Sequence, residues 1–303
     1  MVARMVITGC RQWRTRIPMS CAFFLILLFV FSQTCQASSA PQRIVSLAPS
    51  CTEMVAGLGL TDRLVGVTTH CDYPPEVRRL PRVGSYVALN LEAIVSLQPD
   101  LIVATNDGNP KRVIERLRQF HLRVVVLDLM SYQSIGRSLV ELGQLVGKSA
   151  EAERQVSWMR KVGDCIAGRT RAATRPGVLF VYESYPVITA GKDTFTDELI
   201  QMSGGVSVTH NVKIAYPTLT MEEIIARNPE VILQSSMDPA ADKQKLKWWN
   251  RWPVLKAVKN NRIYLINTRN LDRPSQRVVF GLFQLAKILH PNLFPNNECL
   301  EGQ

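Results

Sequence analysis

Seven short runs rich in β-branched and aliphatic residues recur along the chain, and stretches with helical spacing separate most of them. Two such stretches, at 111–119 and 132–146, place apolar residues three and four positions apart. This alternation predicts an α/β fold with parallel sheets, because parallel strands need a crossover connection, usually a helix. The predicted strands are RIVSL at 43–47, LVGV at 64–67, LIVA at 101–104, VVVL at 124–127, VLFVY at 178–182, VILQ at 231–234 and IYLI at 263–266.

The longest gap between these runs contains one extended helical segment. Residues 148–171 include no proline and are rich in Ala, Glu, Arg and Gln, which predicts a single helix of about six turns. The Arg175-Pro176-Gly177 sequence then ends it, because proline cannot continue a helix. We therefore predict an N-terminal α/β lobe at 42–147, a linking helix at 148–174, a C-terminal α/β lobe at 175–295 and a loose tail at 296–303.

A weak internal repeat with an offset of 130 residues supports this two-lobe organisation. YVALNLE at 86–92 aligns with YPTLTME at 216–222, and the match continues without a gap into the next predicted strand. In each copy an oxygen of Asn90 or Thr220 can cap a helix, and the final glutamate lies in the first helical turn, where a carboxylate favours the helix dipole. Two similar lobes predict a cleft between them, and ligands commonly bind at such domain interfaces.

The N-terminal segment has the order of a secretory signal. Four arginines and no acid precede an apolar run from Ile17 to Phe31, and small or polar residues then lead to Ala37. A membrane-spanning helix needs about 20 apolar residues, more than this run supplies. We predict a signal peptide at 1–37 cleaved after Ala37, with Ala40 as the alternative cleavage position and an uncleaved membrane anchor as the alternative fate.

Charge and motifs exclude several classes of function. The formal charge of +11 falls to +7 once residues 1–37 are removed, too mild a charge to indicate nucleic-acid binding. The absence of GxGxxG, phosphate-loop and GxSxG motifs argues against nucleotide chemistry and against a serine hydrolase. The remaining cysteines show no zinc spacing. An oxidising compartment would permit a disulfide between Cys51 and Cys71 if the two lie close together.

Motifs that cover roughly residues 42–290 follow one another in a family-specific order. They are RIVSLAPSCTE at 43–53, CDYPPE at 71–76, NLEAIVSLQPDLIV at 90–103, ITAGKDTFTDELI at 188–200 and YPTLTMEEIIARNPEVIL at 216–233. Together they resemble the periplasmic binding proteins of ABC importers that carry cobalamin, haem and ferric siderophores, and the DYPP element favours cobalamin. The resemblance implies two Rossmann-like lobes bridged by one long helix, the class III periplasmic binding protein fold, and a monomer in the periplasm.

The resemblance also implies a role for the glutamate of each repeat. In this family one surface glutamate on each lobe pairs with arginines of the inner-membrane permease, and the matching positions are Glu92 and Glu222. The residues alone allow a plainer interpretation, in which each glutamate stabilises its helix N-terminus by about 0.3–1 kcal/mol. Both interpretations can hold at once.

Three tyrosines match the family's ligand-contacting regions. Tyr86 and Tyr216 precede the two repeat helices, and their rings could lie against a planar macrocycle from opposite lobes. The alternative is that they are ordinary core-packing residues. Tyr185 falls at the end of a predicted strand where the family's C-terminal lobe meets its ligand.

Other pocket positions depart from the family's pattern. His70 stands where the cobalamin-binding members compared carry an aromatic pocket residue, and it could coordinate cobalt or iron or serve as a polar pocket wall. The family's pattern has an aromatic residue where this chain has Asn106, a basic residue where it has Asp107 and an acid where it has Arg269. All of these are expected to line the cleft.

The sequence therefore predicts a non-catalytic protein that captures cobalamin or a related corrinoid and delivers it to an inner-membrane ABC permease. No cofactor, resident metal or nucleic-acid partner is expected. One alternative keeps the architecture and changes the ligand to haem or a ferric siderophore, for which a basic residue such as Arg269 would suit an anionic chelate. The other alternative is a periplasmic α/β enzyme.

Overall fold

Strands and helices alternate along the chain in the computed structural model, which describes residues 40–236 and 241–301. The predicted signal peptide at 1–37 lies outside the described residues. No helix in the described part is long and apolar enough to cross a membrane. The strands are β1 (Ile44–Ser46), β2 (Leu64–Gly66), β3 (Leu101–Thr105), β4 (Val124–Leu127), β5 (Gly177–Ser184), β6 (Val187–Thr189), β7 (Val206–Ser207), β8 (Thr218–Leu219), β9 (Val231–Ser236) and β10 (Ile263–Asn267). The helices are α1 (Pro49–Gly57), α2 (Leu91–Ser96), α3 (Lys111–Gln119), α4 (Tyr132–Leu145), α5 (Ser149–Thr170), α6 (Phe195–Met202), α7 (Met221–Arg227), α8 (Gln244–Trp249), α9 (Lys256–Lys259) and α10 (Val278–Leu289).

Two separate sheets precede and follow α5 in the chain. The first has the order β2-β1-β3-β4 and is wholly parallel. The second has the order β10-β9-β5-β6-β8, with β7 also paired to β5, and β6 runs antiparallel to both of its neighbours. The predicted α/β class is confirmed. The prediction of parallel sheets is confirmed for the first sheet and for β10, β9, β5 and β7 of the second. The second sheet is mixed, because a two-residue connection turns β5 back into β6 as an antiparallel hairpin.

Helix α5 joins the two sheets and buries one face in a core that both share. Trp158, Val162 and Ile166 recur every four residues on this face and are buried. They belong to the same hydrophobic cluster as side chains of β1 and β5, so the core is continuous from one sheet to the other. The helix falls within the predicted range of 148–174. The predicted boundaries of the two lobes stay a prediction.

The two repeat helices begin with the side-chain caps that the sequence predicts. The Asn90 side chain accepts a hydrogen bond of 3.0 Å from the backbone N–H three residues later. Thr220 and Glu223 cap the second helix through two reciprocal hydrogen bonds. The Thr220 hydroxyl accepts a hydrogen bond of 3.3 Å from the backbone N–H of Glu223, and the Glu223 carboxylate accepts a hydrogen bond of 2.8 Å from the backbone N–H of Thr220. These caps fix the first helical turns, which carry Glu92 and Glu222.

The C-terminal tail is attached to α5. A disulfide joins Cys165 on the helix to Cys299, and Arg169 pairs with Glu298 at 2.5 Å. The prediction of a loose tail at 296–303 is therefore wrong for the described part, which ends at 301. The polar composition of the tail gave no sign of this attachment, because both partners lie more than 100 residues earlier in the chain.

Cys51 and Cys71 are buried free thiols, so the predicted pairing between them is wrong. The sulfur of Cys71 instead lies 3.1 Å from the hydroxyl oxygens of both Thr52 and Thr68. Burial raises the pKa of the Cys51 thiol, which keeps it protonated and therefore a poor nucleophile.

Removal of the disulfide between Cys165 and Cys299 is expected to lower the free energy of unfolding by about 2–5 kcal/mol, because the bond restricts the unfolded chain across a long loop. The measurement is urea denaturation of the oxidised wild type and of the Cys165→Ser, Cys299→Ser variant. The reduced wild type is the control and should match the variant. Equal stability of the oxidised and reduced proteins would show that the disulfide contributes nothing.

A candidate ligand-binding cleft

A cleft with a volume of about 180 Å³ opens where strands of both sheets reach their carboxyl ends. Pro49 and Asp107 follow β1 and β3 of the first sheet, and Thr268 and Asp272 follow β10 of the second. In open α/β sheets ligands bind beyond the carboxyl ends of the strands. The residues that line the cleft are Ala48, Pro49, Ser50, His70, Tyr86, Asp107, Thr268, Arg269, Asp272, Arg273 and Pro274.

Of the seven residues expected to line the cleft or contact the ligand, four line it, namely His70, Tyr86, Asp107 and Arg269. The Tyr86 ring rests on Gly108, which has a φ of +96°, and a Cβ at that glycine would lie 2.5 Å from the ring. Asn109 donates a hydrogen bond of 2.7 Å to the carbonyl of Tyr86. The ring is thus positioned by its neighbours while 40% of the residue stays exposed.

Tyr216 lies in the second half of the chain and is not among the residues that line the cleft. Its ring packs edge-on against Tyr182 with the ring centroids 5.6 Å apart, and 60% of the residue is exposed. Burial raises the pKa of the Tyr216 hydroxyl, and the negative charges of Asp107 and Asp272 and the nearby Tyr86 raise it further. Tyr216 is therefore within electrostatic range of groups in both walls of the cleft.

Tyr185 and Asn106 are not among the residues that line the cleft. Tyr185 lies in the turn between β5 and β6 and is 89% exposed. Asn106 donates to a carboxylate oxygen of Asp128 at 3.0 Å and accepts from the N–H of Leu129 at 3.2 Å, so it connects the carboxyl ends of β3 and β4. The neighbouring Asp107 lines the cleft in its place.

A cluster of ion pairs lies beneath the cleft. Arg273, which is only 8% exposed, donates to Glu53 at 3.3 Å, to the carboxylate of Asp72 and to the carbonyl of His70 at 3.2 Å. Glu53, 1% exposed, also accepts a hydrogen bond of 2.7 Å from the hydroxyl of Ser275. Because Glu53 belongs to α1 and Arg273 to the loop before α10, the cluster ties the first half of the chain to the second.

Burial and charge oppose each other on the two acids of this cluster. Burial raises the pKa of Glu53 even though the Ser275 hydrogen bond and the Arg277 and Arg273 charges lower it. Burial acts in the same direction on Asp72, but the hydrogen bond and charge of Arg273 outweigh it, so the pKa of Asp72 is lowered. Burial tends to lower the pKa of Arg273, but both acids act more strongly and raise it.

Two further acids, Asp107 and Asp272, face the cleft itself. Solvent reaches both through the mouth of the cleft, but the surrounding protein still disfavours their charged forms. Burial raises the pKa of Asp107. It raises the pKa of Asp272 to about 6, although Thr268 and the Arg273 charge lower it in part. Asp272 is therefore mostly ionised at neutral pH.

Glu92 and Glu222 are exposed in the first turns of α2 and α7. Neither carboxylate forms a hydrogen bond or ion pair with another residue of the described chain. Each is thus available for a partner while it stabilises its own helix terminus.

Sequence reasoning missed Glu53, Asp272 and Arg273. A usable signal was present for the last two, because an acidic and a basic residue come six and seven positions after the predicted strand at 263–266. The carboxyl ends of parallel strands are where α/β proteins bind ligands, so charges at that position indicate a site. Within 40–236 and 241–301, no three His, Cys, Asp or Glu residues come together in a way that could hold a metal ion.

Residues 44–269 match the family described as periplasmic binding protein. The chain belongs to this family. The vitamin B12-binding protein of Vibrio parahaemolyticus is 27% identical over 263 residues, which are 87% of this chain and 94% of that protein. The crystal structure of BtuF, the periplasmic vitamin B12-binding protein of Vibrio cholerae, superimposes with a TM-score of 0.75 at 26% identity and covers 83% of this chain and 98% of that one.

A haem-binding protein shares the fold of this periplasmic binding protein. The periplasmic haem-binding protein RhuT from Roseiflexus sp. RS-1 has a TM-score of 0.74 at 23% identity, over 83% of this chain and 99% of that chain. This likeness concerns the fold alone. The family's fold is therefore compatible with more than one large ligand, and the residues in the cleft must decide between them.

Proposed function

We propose that this periplasmic binding protein captures cobalamin or a related corrinoid in its cleft and delivers it, chemically unaltered, to an ABC importer. The supporting observation is the pair of exposed rings, Tyr86 and Tyr216, beside a cleft in a chain that aligns with 94% of a vitamin B12-binding protein. A corrin ring is broad and flat. Tyrosine rings can bury much of such a surface with few rotatable bonds to immobilise.

The polar groups of the cleft suit the rim of such a ligand. The enclosed volume of about 180 Å³ would hold only part of a corrinoid, so the remainder would lie at the open mouth beside the two tyrosines. Arg269 can donate hydrogen bonds to amide carbonyls on the rim, and the carboxylates in the cleft can accept them from amide N–H groups. We propose this binding role for His70 and Tyr185 as well, with Tyr185 reaching the ligand from outside the cleft.

A second candidate ligand is haem or a ferric siderophore. Two observations favour it: the imidazole of His70, which could coordinate iron, and the guanidinium of Arg269, which could pair with a carboxylate. Both residues line the cleft. The fold shared with the haem-binding RhuT makes this ligand class the natural competitor in any binding experiment.

Titration with a panel of ligands separates these candidates. Purified mature protein is titrated with cyanocobalamin, dicyanocobinamide, haemin and a ferric hydroxamate, with the quenching of protein fluorescence as the readout. A corrinoid is expected to bind with one-to-one stoichiometry and at least about 10-fold tighter than haemin or the ferric chelate, a difference of about 1.4 kcal/mol. Tighter binding of haemin would contradict the corrinoid assignment.

Delivery to the importer is proposed to depend on Glu92 and Glu222. Their exposure, their lack of partners within the described residues and their equivalent positions on two repeat-related helices support this role. We further propose that the segment 1–37 directs export, that the mature protein acts as a monomer and that it has no catalytic activity and needs no cofactor.

His70 is proposed to be a polar wall of the cleft rather than a ligand of the metal centre. Its backbone carbonyl is fixed by Arg273, but its exposed side chain accepts and donates no hydrogen bond within the described chain. The absorption spectrum of bound aquocobalamin is therefore expected to be the same in the wild type and in His70→Ala. A shift of the corrin bands between the two proteins would show that the imidazole coordinates cobalt.

A further inference from the structure

The cleft contains two arginines and two aspartates, and one of the arginines is already engaged beneath it. Arg273 donates to Glu53, to Asp72 and to a backbone carbonyl beneath the cleft. The Nε atom of Arg269 lies 3.8 Å from a carboxylate oxygen of Asp72. Neither Asp107 nor Asp272 forms an ion pair with any residue of the described part.

The two aspartates approach the ligand space from different halves of the chain. Asp107 follows β3 of the first sheet, and Asp272 follows β10 of the second, yet both line the same cleft. Both also raise the pKa of the Tyr182 and Tyr216 hydroxyls through their charge, which places them within electrostatic range of the same two rings. A ligand between the halves therefore meets one carboxylate from each side.

We propose that Asp107 and Asp272 determine ligand selectivity, by accepting hydrogen bonds from amide N–H groups on the ligand's rim and by repelling ligands whose rim carries carboxylates. This inference rests on the proposed function, because a corrinoid rim carries primary amides whereas haem carries two propionates. A hydrogen bond from a neutral amide to a carboxylate is charge-assisted. A ligand carboxylate in the same place would meet a like charge in a partly desolvated site, the kind of juxtaposition that excludes wrong partners.

Burial raises the pKa values of the two aspartates, and the same burial underlies the proposed selectivity. Burial disfavours their charged forms, so a further negative charge beside them is unfavourable, whereas an N–H donor relieves part of the cost. The engaged state of Arg273 matters here, because an uncommitted arginine would pair with a ligand carboxylate and weaken the repulsion. Arg269 keeps free N–H groups, but the two aspartates outnumber it in the cleft.

The test compares cyanocobalamin with its monocarboxylate, in which hydrolysis has converted one propionamide of the rim to a carboxylate. The two ligands have the same size and shape and differ by one charge. At pH 7.5 the wild type is expected to bind cyanocobalamin at least about 10-fold tighter than the monocarboxylate. In the Asp107→Asn, Asp272→Asn variant this ratio is expected to fall to within about 3-fold, because asparagine can both donate and accept.

Asp62→Asn is the matched control, since Asp62 is an exposed acid in the turn before β2 and does not line the cleft. It should keep the wild-type ratio. Circular dichroism of all three proteins shows whether the variants are folded. An unchanged ratio in a folded double variant would overturn the selectivity role and leave the proposed function intact. Failure of the wild type to bind cyanocobalamin would overturn both.

Discussion

Replacing Glu92 and Glu222 together with alanine is expected to reduce ligand uptake by at least about 10-fold while the affinity of the isolated protein for its ligand stays unchanged. Both carboxylates are exposed, lie in first helical turns and have no partner within the described chain. Truncation of one partner of a buried charge pair at an interface costs about 2–5 kcal/mol. The measurement is uptake of radiolabelled cyanocobalamin by cells that have only this binding protein, beside titration of the purified variant.

Glu153→Ala is the control, because Glu153 is also an exposed glutamate and lies on α5. It should leave both uptake and affinity at wild-type values. If each glutamate only stabilises its own helix, the double variant should lose a little stability and no transport. Normal uptake by a folded double variant would therefore remove the docking role.

Replacing Arg273 with alanine is expected to lower the free energy of unfolding by about 3 kcal/mol. The buried Glu53 then keeps only one of its two cations, Arg277 at 3.2 Å, and Asp72 loses its hydrogen bond. The effect should be strongly non-additive. A second change, Glu53→Gln, removes the buried charge that Arg273 helps to balance and is expected to recover part of the loss. Urea denaturation of the wild type, both single variants and the double variant gives the coupling energy. Arg160→Ala, an exposed arginine on α5, is the control and should stay within about 0.5 kcal/mol of the wild type.

The loss caused by Arg273→Ala should depend on pH in a defined direction. The pKa of Glu53 is already raised in the folded wild type, so the stability linked to its protonated form is present below its unfolded pKa and lost as pH rises through the folded pKa. Without Arg273 this pKa rises further. The pKa of Asp72 is lowered by Arg273, so the stability from that contact is lost as pH falls. The Glu53 effect makes the deficit smaller as pH falls from 7 toward 4.5, the ordinary pKa of a glutamate. The Asp72 effect reduces it further only below pH 3.8, the ordinary pKa of an aspartate. A deficit that is constant from pH 7 to pH 4.5 would contradict the charge-burial explanation.

The strands, helices and caps that can be predicted from the sequence are those that depend on patterns among neighbouring residues. Strands such as 124–127 and the helix at 111–119 occur where apolar periodicity predicts them, because burial of one face selects a 2.0- or 3.6-residue period. The caps at Asn90 and Thr220 depend on residues three positions apart. The exposure of Glu92 and Glu222 follows from these caps and the helix period.

The features that sequence reasoning missed depend on contacts between distant residues. Glu53 and Arg273 lie 220 positions apart, and Cys165 and Cys299 lie 134 apart, so no local pattern reveals either pair. Tyr185, which is expected to contact the ligand, lies outside the residues that line the cleft, because the chain turns back there into β6 and leaves 89% of the residue exposed.

The direct test of ligand capture is to mix the mature protein with one equivalent of cyanocobalamin, pass the mixture through a desalting column and release what remains bound with acid. Mass spectrometry then identifies the released compound. A protein that holds its cargo without altering it should return close to one equivalent with the mass of the starting compound. Elution of the protein without corrinoid, or release of a corrinoid of changed mass, would contradict the proposed capture and delivery.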